Sequence, residues 1–586
     1  MEEKTNKNLN LYSICIILGT LAITNLTLDQ TLTIKLFFFS LALTAFVYYS
    51  KQKISINIDF INITYLLVIL IQLSSILYAQ NKEEAIFGNV KNIFGYLIFI
   101  ISINLISTNK HNYIKTIKKS VIFISLFTFA SIIYQLTAVN YDNIYNLTGV
   151  HGHKNLISSF LIIIIGVLLI DYKLQTKKSK IFTLIVLTLN LISIFILQSR
   201  AVWLGLFIAG IITSLVNYTY IKVCIMDKLI TQKNKNLISV VSSLFVALML
   251  IYPLRKIILW CEKNFNKLSF LKHEDLERIV LWNKTYQIFQ KNPIFGVGTN
   301  NWQIHFPNES LKGIWRAEDL NVTFQRPHND ILWILSENGM ITLFLIITLT
   351  LSILIMIFLC KNKSEKLNNY LFFFVSLAFI ISSFFDFPKE RIEHIFWWNT
   401  WLALIYTKNN STINKINVSE KIMLLILSIV LILSSIRLNS EINQKKMVYE
   451  IKKNCSKKII KRGVESKSII YSIDNFSYPI DWFIAKAYIE QNELKKGLIH
   501  LNYAYKLAPY NRYVINDLGV VNYKLKKEIK AIKFFKESIR ISPRFNLPKF
   551  NLCSIYLKNN EFKKARKIER LITNESKKRD LLRKKL

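Results

Sequence analysis

Long apolar runs, separated by short polar segments, make up most of the first three quarters of this chain. Many of them are close to the ~20 residues that a helix needs to cross the hydrocarbon core of a membrane. Peptide groups in that core must be hydrogen-bonded within their own segment, so the runs are predicted to be transmembrane helices. We predict about thirteen spans, at 11–26, 31–49, 60–78, 93–107, 119–137, 155–171, 181–197, 201–221, 237–253, 333–360, 369–385, 392–407 and 420–437.

Basic residues are unevenly distributed among the segments between these spans. If the N-terminus lies inside and the chain alternates, the inside segments hold 22 lysines and the short outside loops hold six basic residues. Cytoplasmic loops are enriched in Lys and Arg, so this bias predicts the orientation. We therefore expect a multi-pass protein of the cell (inner) membrane, with the large loop 254–332 and everything after residue 437 extracytoplasmic.

The residues after the last span repeat with a period of 34. Pro509 and Pro543 are 34 residues apart and each closes a helical stretch. Small residues recur at two positions of the repeat, where they would let antiparallel helices approach closely: Ala485, Gly519 and Cys553, and Gly497, Ala531 and Ala565. The segment 478–573 resembles tetratricopeptide repeats, and a generic pair of helical hairpins is the alternative. Such repeats carry binding faces, so we expect a protein partner to bind there.

The predicted fold class is all-α: a polytopic helical membrane domain with an appended domain of helical repeats. The domains are 1–437 for the membrane portion, 438–477 for a linker, 478–573 for the repeats and 574–586 for a basic tail. We expect the first domain to carry out the chemistry and the repeats to recruit an acceptor or partner. Five lysines of the repeats would suit an acidic partner or an anionic polymer: Lys524, Lys526, Lys527, Lys530 and Lys533.

Composition agrees with a membrane protein and narrows the partners. Hydrophobic residues make up 52% of the chain, and the formal net charge is +39. Residues 441–586 hold 35 Lys and Arg against 14 Asp and Glu. Beside a membrane, such charge favours anionic lipids or phosphate-bearing substrates, and no nucleic-acid partner is expected. The six cysteines are scattered without a zinc or disulfide pattern, no Asp-x-Asp motif occurs, and neither metal nor cofactor is predicted.

Three residues of the outer side carry candidate chemistry. Arg200 sits in a hairpin of a few residues between apolar runs, where a charge is costly without a partner or a task; snorkelling to lipid phosphate is the alternative. Arg278 has apolar neighbours that indicate partial burial, against the alternative of a solvated loop cation. His328 follows Pro327 at the start of an amphipathic helix and could act as a general base or simply as a packing residue. By contrast, Gly296-Val297-Gly298 lacks a third glycine and indicates a turn, not a dinucleotide loop.

The order of motifs in the outer segment resembles a known family. Arg278, Trp282, Asn-Pro-Ile-Phe-Gly-Val-Gly at 292–298, His328-Asn329 and Glu337 with Gly339 follow one another as they do in O-antigen ligases, O-antigen polymerases and protein O-oligosaccharyltransferases. Further similar motifs are Gly152-His153-Lys154-Asn155, Ser199-Arg200 and Phe385-Asp386-Phe387-Pro388. The resemblance extends over about residues 80–407 and implies a GT-C-like membrane fold.

This resemblance implies a metal-independent, inverting glycosyltransferase. The donor would be an undecaprenyl-diphosphate-linked glycan, with Arg200 and Arg278 binding the diphosphate and His328 acting as general base. Lys154 and Arg326 would bind substrate in the same anionic pocket.

The acceptor remains open among three chemistries. A ligase transfers the glycan to lipid A core, a polymerase to another repeat unit, and an oligosaccharyltransferase to Ser or Thr of a protein; a ligase-like reaction in lipopolysaccharide or other surface polysaccharide assembly is favoured. A lipid-linked glycan flippase or exporter is the alternative of another class. The predicted spans are nearly free of charge, which favours an enzyme at the outer face over a flippase.

Overall fold

The computed structural model describes residues 2–51, 54–138, 147–216, 273–320, 322–359, 366–407, 415–573 and 577–584. Helices and strands are numbered here within those ranges. The membrane portion contains α1 (Glu2–Leu21), α2 (Leu32–Ser50), β1 (Ile54–Asn57), α3 (Phe60–Tyr78), α4 (Lys82–Ala138), α5 (Lys154–Leu169), α6 (Lys177–Leu197), α7 (Arg200–Val216), α8 (His273–Lys291), α9 (Trp302–His305), α10 (Trp315–Glu318), α11 (Asp330–Leu359), α12 (Lys366–Ser383), α13 (Ile392–Tyr406), β2 (Lys415–Val418) and α14 (Glu420–Lys452).

Every predicted span that falls in the described ranges coincides with a helix. Six described helices are long and apolar enough to cross a membrane, and four shorter apolar helices accompany them. The predicted helical, multi-pass character of the membrane domain is therefore confirmed. The predicted span 237–253 and the end of span 201–221 lie outside the described residues, so the count of thirteen stays a prediction.

The segments that connect the helices contact one another at each end of the helix bundle, in the two groups that the alternating topology predicts. At one end, β1 pairs antiparallel with β2, with Ile54 opposite Val418, which joins two predicted inside segments. At the other end, Arg391 Nη1 lies 2.9 Å from Asp29 Oδ2, and the Asn81 N–H donates to Asn301 Oδ1 at 2.8 Å. These contacts join predicted outside segments to one another, so the structure agrees with the predicted alternation.

The long helix α4 holds two predicted spans, 93–107 and 119–137. Its backbone leaves the helical region at Asn109. Ser102 and Tyr113 lie on either side of that kink, yet Tyr12 of α1 contacts both: its hydroxyl is 3.3 Å from Ser102 Oγ and its ring centroid is 6.0 Å from that of Tyr113. A straight helix would separate these residues by about 16 Å along its axis. The chain therefore turns back at Asn109, as two spans require.

Helix α13 lies at the centre of the bundle. Residues on all of its faces are buried, among them Trp397 and Trp401, and Phe396 stacks on Phe39 with ring centroids 4.6 Å apart. A helix that is apolar all round must be surrounded by other helices or by lipid. The charged and polar residues at its outer end therefore belong to the interior of the protein.

The C-terminal part consists of helical hairpins, with α15 (Ser456–Ser466), α16 (Ile480–Glu490), α17 (Leu494–Leu507), α18 (Arg512–Lys524), α19 (Glu528–Ile541), α20 (Asn546–Lys558), α21 (Phe562–Glu569) and α22 (Lys577–Arg583). The second helices of successive hairpins begin 34 residues apart, at 494, 528 and 562. Ala485, Cys553, Ala531 and Ala565 are fully buried, and a Cβ at Gly519 would lie 2.6 Å from the Phe535 ring. The small residues thus lie where helices touch, while the tetratricopeptide identity stays a prediction.

The predicted linker 438–477 is structured. Helix α14 continues to Lys452, α15 follows, and Met447, Ile459 and Tyr471 pack against α16. The linker is therefore part of the C-terminal helical domain. In the second hairpin, Lys524, Lys526 and Lys527 lie at the tip between α18 and α19, and all three are exposed.

The repeats contact the outer segment of the membrane domain through the end of α19 and the residues that follow it. The Leu311 N–H donates to Ile541 O at 2.7 Å, and Arg540 Nη2 donates to Asn308 Oδ1 at 2.9 Å. Arg544 pairs with Asp319 at 2.7 Å. The lysine tip is at the opposite end of its hairpin from these contacts and faces away from the membrane domain's outer segment.

Candidate functional site

The outer segment has a small apolar core that fixes the helix on which Arg278 lies. Leu281 and Ile288 of α8 are buried in it. Trp302 is fully buried, donates from Nε1 to Thr285 Oγ1 at 3.1 Å, and stacks on Phe306 with ring centroids 4.5 Å apart. A Trp N–H is rarely buried without an acceptor, so this bond and the stacking together hold α8 in one position.

The glycine turn predicted at 296–298 packs against a kink in α11. The backbone of α11 is non-helical at Gly339, which frees carbonyl groups on the preceding turn. The Val297 N–H donates to Ser336 O at 3.0 Å and the Gly298 N–H to Glu337 O at 2.8 Å. A Cβ at Gly296 would lie 2.3 Å from the backbone of Glu337. The glycines therefore serve a close backbone contact, as the predicted turn implies, and they fix the first turns of α11.

His328 lies just before α11, in a left-handed backbone conformation with φ of 54°. Trp282 Nε1 donates to Pro327 O at 2.9 Å, and the imidazole meets the Phe387 ring edge-on with centroids 5.0 Å apart. Burial holds the pKa of His328 well below its usual value, and the charges of Arg278 and Arg326 lower it further. The imidazole is therefore neutral near pH 7 and can accept a proton.

Arg278 faces the end of α12, where Asp386 lies. Among the residues that the structure describes, its guanidinium makes one hydrogen bond, a 3.5 Å contact to Phe385 O. Burial raises the pKa of Asp386 to about 6, while Arg278 and the Phe387 N–H act in the opposite direction. Most of the donor groups of Arg278 are thus available to an anion.

Arg326 lies on the other side of His328 and already has an anionic partner. It pairs with Glu390, and its guanidinium lies 4.4 Å from the centre of the Phe387 ring. The ring of Phe387 thus contacts both Arg326 and His328. Because Glu390 neutralises part of its charge, Arg326 is a weaker candidate for binding a free anion than Arg278.

The start of α5, with His153 and Lys154, lies near Arg278 and Arg326. Lys154 is buried at the first position of α5, and the His153 side chain caps that helix by accepting from the Asn155 N–H at 3.2 Å. Burial lowers the pKa of His153 to about 4, and Arg391, Lys154, Arg326 and Arg278 all lower it as well. The structure therefore brings together Arg278, Arg326, Lys154 and His328.

Arg200 lies at the start of α7, on a different element from Arg278, Arg326 and His328. Its side chain is exposed. Helix α7 packs against α12, since a Cβ at Gly205 would lie 2.7 Å from Ala378 O. Arg200 therefore lies at the same end of the bundle as the site, and its predicted catalytic role stays a prediction.

A buried ionic network below the site was missed by sequence reasoning. Glu393 Oε1 lies 3.0 Å from Lys35 Nζ and 3.0 Å from His151 Nδ1, and all three side chains are fully buried. His394, beside them, contacts Ser159 Oγ at 3.0 Å. Lys35 and Glu393 each lie within a few residues of the end of a predicted span. A lysine in one span and a glutamate in another signal such a pair, because each would be costly alone.

Asp386 was also missed as a site residue, although its motif was noticed. Its proximity to Arg278 is a tertiary feature, since 107 positions separate the Phe385 carbonyl from that arginine. Within the described ranges, no group of three or more His, Cys, Asp or Glu side chains is placed to hold a metal ion. Metal independence itself stays a prediction.

A family model matches part of the chain. No curated protein matches the chain. Residues 183–347 match the family model described as O-Antigen ligase, a range that includes Arg200, Arg278, Arg326 and His328 and is shorter than the 80–407 expected from the motifs. The match identifies an O-antigen ligase domain within this multi-pass helical membrane protein and supports a function in surface-glycan assembly.

Proposed function

We propose that this protein transfers a glycan from a polyprenyl diphosphate to an acceptor hydroxyl at the outer face of the cytoplasmic membrane. The observation that carries the proposal is a neutral histidine surrounded by cations, with His328 beside Arg278 and Arg326. Like charges held together need an anion, and a diphosphate supplies it. The family match supports a role in surface-glycan assembly, and the reaction itself is our inference.

Arg278 is the primary diphosphate ligand in this proposal. Its guanidinium has donors to spare among the described residues and is fixed on a well-packed helix. A planar fork of N–H groups matches two phosphate oxygens, and such charge-assisted bonds are about twice as strong as neutral ones. Negative charge grows on the leaving diphosphate during the reaction, so a preorganised cation lowers the barrier. Lys154 and Arg326 add positive charge around it, and Arg200 extends the cationic surface at the same end of the bundle.

His328 is the general base. Its imidazole accepts the proton of the acceptor hydroxyl while that oxygen forms a bond to the anomeric carbon. The bond from the anomeric carbon to the phosphate oxygen breaks, and the diphosphate leaves with the electron pair, which inverts the anomeric configuration. The bound diphosphate offsets the neighbouring cations, so the pKa of His328 rises towards its usual range in the complex. A positioned base contributes about 10² to 10⁴ in rate.

The donor is an undecaprenyl-diphosphate-linked glycan, and the acceptor is a sugar of lipid A core in the ligase reading that we favour. Polymerisation of repeat units and transfer to Ser or Thr of a protein use the same donor and base. The cluster of Arg278 and His328 lies at one end of the bundle, which suits an enzyme. A flippase would instead need charges along the length of its spans.

The proposal is tested with purified protein in detergent, lipid-linked donor and a simple acceptor. His328→Ala, Arg278→Ala and Arg200→Ala should each abolish product formation, and Arg278→Lys should also be poor because a point charge cannot replace the fork. His111→Ala, at an exposed position, and Arg462→Ala, at a half-buried position of α15, are the matched controls. Product formation should survive a chelator.

Each outcome has one meaning. Full activity of His328→Ala would show that His328 is not the general base. Full activity of Arg278→Ala would show that Arg278 is not the diphosphate ligand. Covalent product in detergent, where no membrane separates two compartments, excludes a pure flippase. Donor that crosses a vesicle membrane without any covalent product would overturn the proposal.

A further inference from the structure

A pocket opens between the outer segment and the helical repeats. It is partly open to solvent. One wall is formed by residues 303, 304, 306, 307, 311 and 322–324 of the outer segment, and the other by residues 477, 478, 508 and 510–513 of the C-terminal domain. Only the docked arrangement of the two domains creates this pocket.

The pocket is rich in aromatic rings that are partly accessible. Tyr478, Tyr510 and Tyr513 line the repeat side and are half-buried, while Phe306 and Phe324 are buried in the opposite wall. The rings support one another, since Tyr478 and Tyr513 have centroids 5.6 Å apart. Half-buried tyrosines offer a flat apolar face together with a polar hydroxyl group.

Uncharged polar groups accompany the rings. Gln303 Oε1 accepts from Ser477 Oγ at 2.8 Å, which holds the amide at the pocket wall. Asn511 Nδ2 donates to Ser477 O at 3.3 Å. Among the described residues that line the pocket, Arg512 is the one charged side chain, and it already donates to Ala317 O at 2.9 Å and to Ser542 Oγ at 2.8 Å. The pocket therefore suits a neutral ligand.

We infer that this pocket binds a sugar residue of the acceptor glycan. A pyranose ring has an apolar face of C–H bonds, which packs on an aromatic ring, and a rim of hydroxyl groups, which amides can both donate to and accept from. Concave sites that combine aromatic walls with a few fixed polar groups are the usual form of small-molecule sites. Tyr510 and Gln303, on opposite walls, would supply these two kinds of contact.

The position of the pocket assigns it to the acceptor, an assignment that rests on the proposed transfer reaction. Phe324 lies in its wall, and the same short segment continues to Arg326 and His328. Lys154 lies at the first position of the membrane helix α5, along which a lipid-linked donor would arrive, and Arg278 acts on His328 from α8. An acceptor held between the loop and the repeats would lie next to the segment that carries the base.

The test measures sugar binding without any donor. Purified full-length protein in detergent is examined by saturation-transfer NMR with methyl glycosides of glucose, galactose, mannose and N-acetylglucosamine. We expect at least one glycoside to bind, and Tyr510→Ala to weaken that binding about five- to ten-fold through loss of the ring face. Tyr510→Phe should bind like the native protein, and Gln303→Leu should bind more weakly. Tyr503→Ala, at an exposed tyrosine of α17, is the matched control.

Thermal unfolding of each variant in detergent separates lost binding from lost folding. His328→Ala should bind the sugar normally while failing to transfer, so binding and the proposed reaction can fail independently. Binding that Tyr510→Ala and Gln303→Leu leave unchanged would overturn the inference, and so would the absence of binding by all four glycosides. Binding of a Ser- and Thr-rich peptide in the same assay, displaced by no glycoside, would show that the pocket takes protein and would also overturn it.

Discussion

Replacing Gly339 by alanine should disconnect the glycine turn from the kinked helix that follows His328. At Gly339 φ is 73° and ψ is 180°, a region that is nearly restricted to glycine. A Cβ there would lie 2.0 Å from Ile294 O, so the backbone of the turn must move. Three hydrogen bonds cross this contact: Met340 N–H to Pro293 O, at 2.9 Å, and the donations of Val297 and Gly298 to α11.

The expected loss of stability at this contact has two contributions, which are the backbone strain of an alanine at position 339 and the loss of the three hydrogen bonds. Alanine in this backbone region costs about 1–3 kcal/mol. Each hydrogen bond contributes about 0.5–1.5 kcal/mol, so the three bonds add to roughly 3 kcal/mol. The contact should therefore weaken by roughly 4 to 6 kcal/mol, which is enough to open it locally in a protein of ordinary stability. Because the first turns of α11 carry His328 at their start, we expect transfer to fall about 10²-fold with the protein still inserted.

Two measurements check this reasoning. Amide hydrogen exchange at Val297, Gly298 and Met340 should accelerate in Gly339→Ala, and the transfer rate should fall in parallel. Gly210→Ala is the matched control, because Gly210 is helical and an added Cβ there would approach Phe374 only to 3.9 Å. Native transfer and native exchange in Gly339→Ala would refute the role assigned to the turn.

Three further predictions address topology, acidity and the repeats. Single cysteines at 310 and 580 should react with a membrane-impermeant thiol reagent in intact or outer-permeabilised cells, and one at 176 should not; the reverse pattern would contradict the predicted orientation. Arg316→Gln removes a positive charge that lowers the pKa of His328, and the pKa of His328 should therefore rise. Transfer should then begin to fall at a higher pH as the solution is acidified. An unchanged pH–rate profile would count against His328 as the base. Truncation after about residue 445 removes contacts such as that of Arg540 with Asn308. It should therefore reduce transfer to a simple acceptor in vitro as well as transfer in cells. Full activity in vitro would instead support separable domains.

The contacts between repeats and outer segment change what the sequence led us to expect of the domains. A membrane domain that acts alone and a tail that only recruits was the simplest interpretation of the 34-residue period. Sequence periodicity shows which residues pack inside a hairpin stack, since that packing is local. It does not show what the ends of the hairpins touch, and Ile541 and Arg544 make their contacts more than 200 positions away.

The sequence by itself determined the features that depend on neighbours along the chain. Span positions follow from the thickness of a membrane and the need to bond each peptide group, so runs such as 60–78 and 181–197 coincide with helices α3 and α6. The turn at 296–298 follows from its glycines, and the small residues of the repeats follow from helix contact. His328 and Arg278 stood out because each occurs beside apolar residues in a recognisable order.

Only the tertiary structure decided which charges share a site. Electrostatic interaction depends on distance in space and on burial, and neither can be counted along a chain. It placed Arg326 with Glu390, set Asp386 beside Arg278, and buried Lys35 with Glu393. The pocket beneath the repeats has the same origin, because its two walls come from segments that only domain docking brings together.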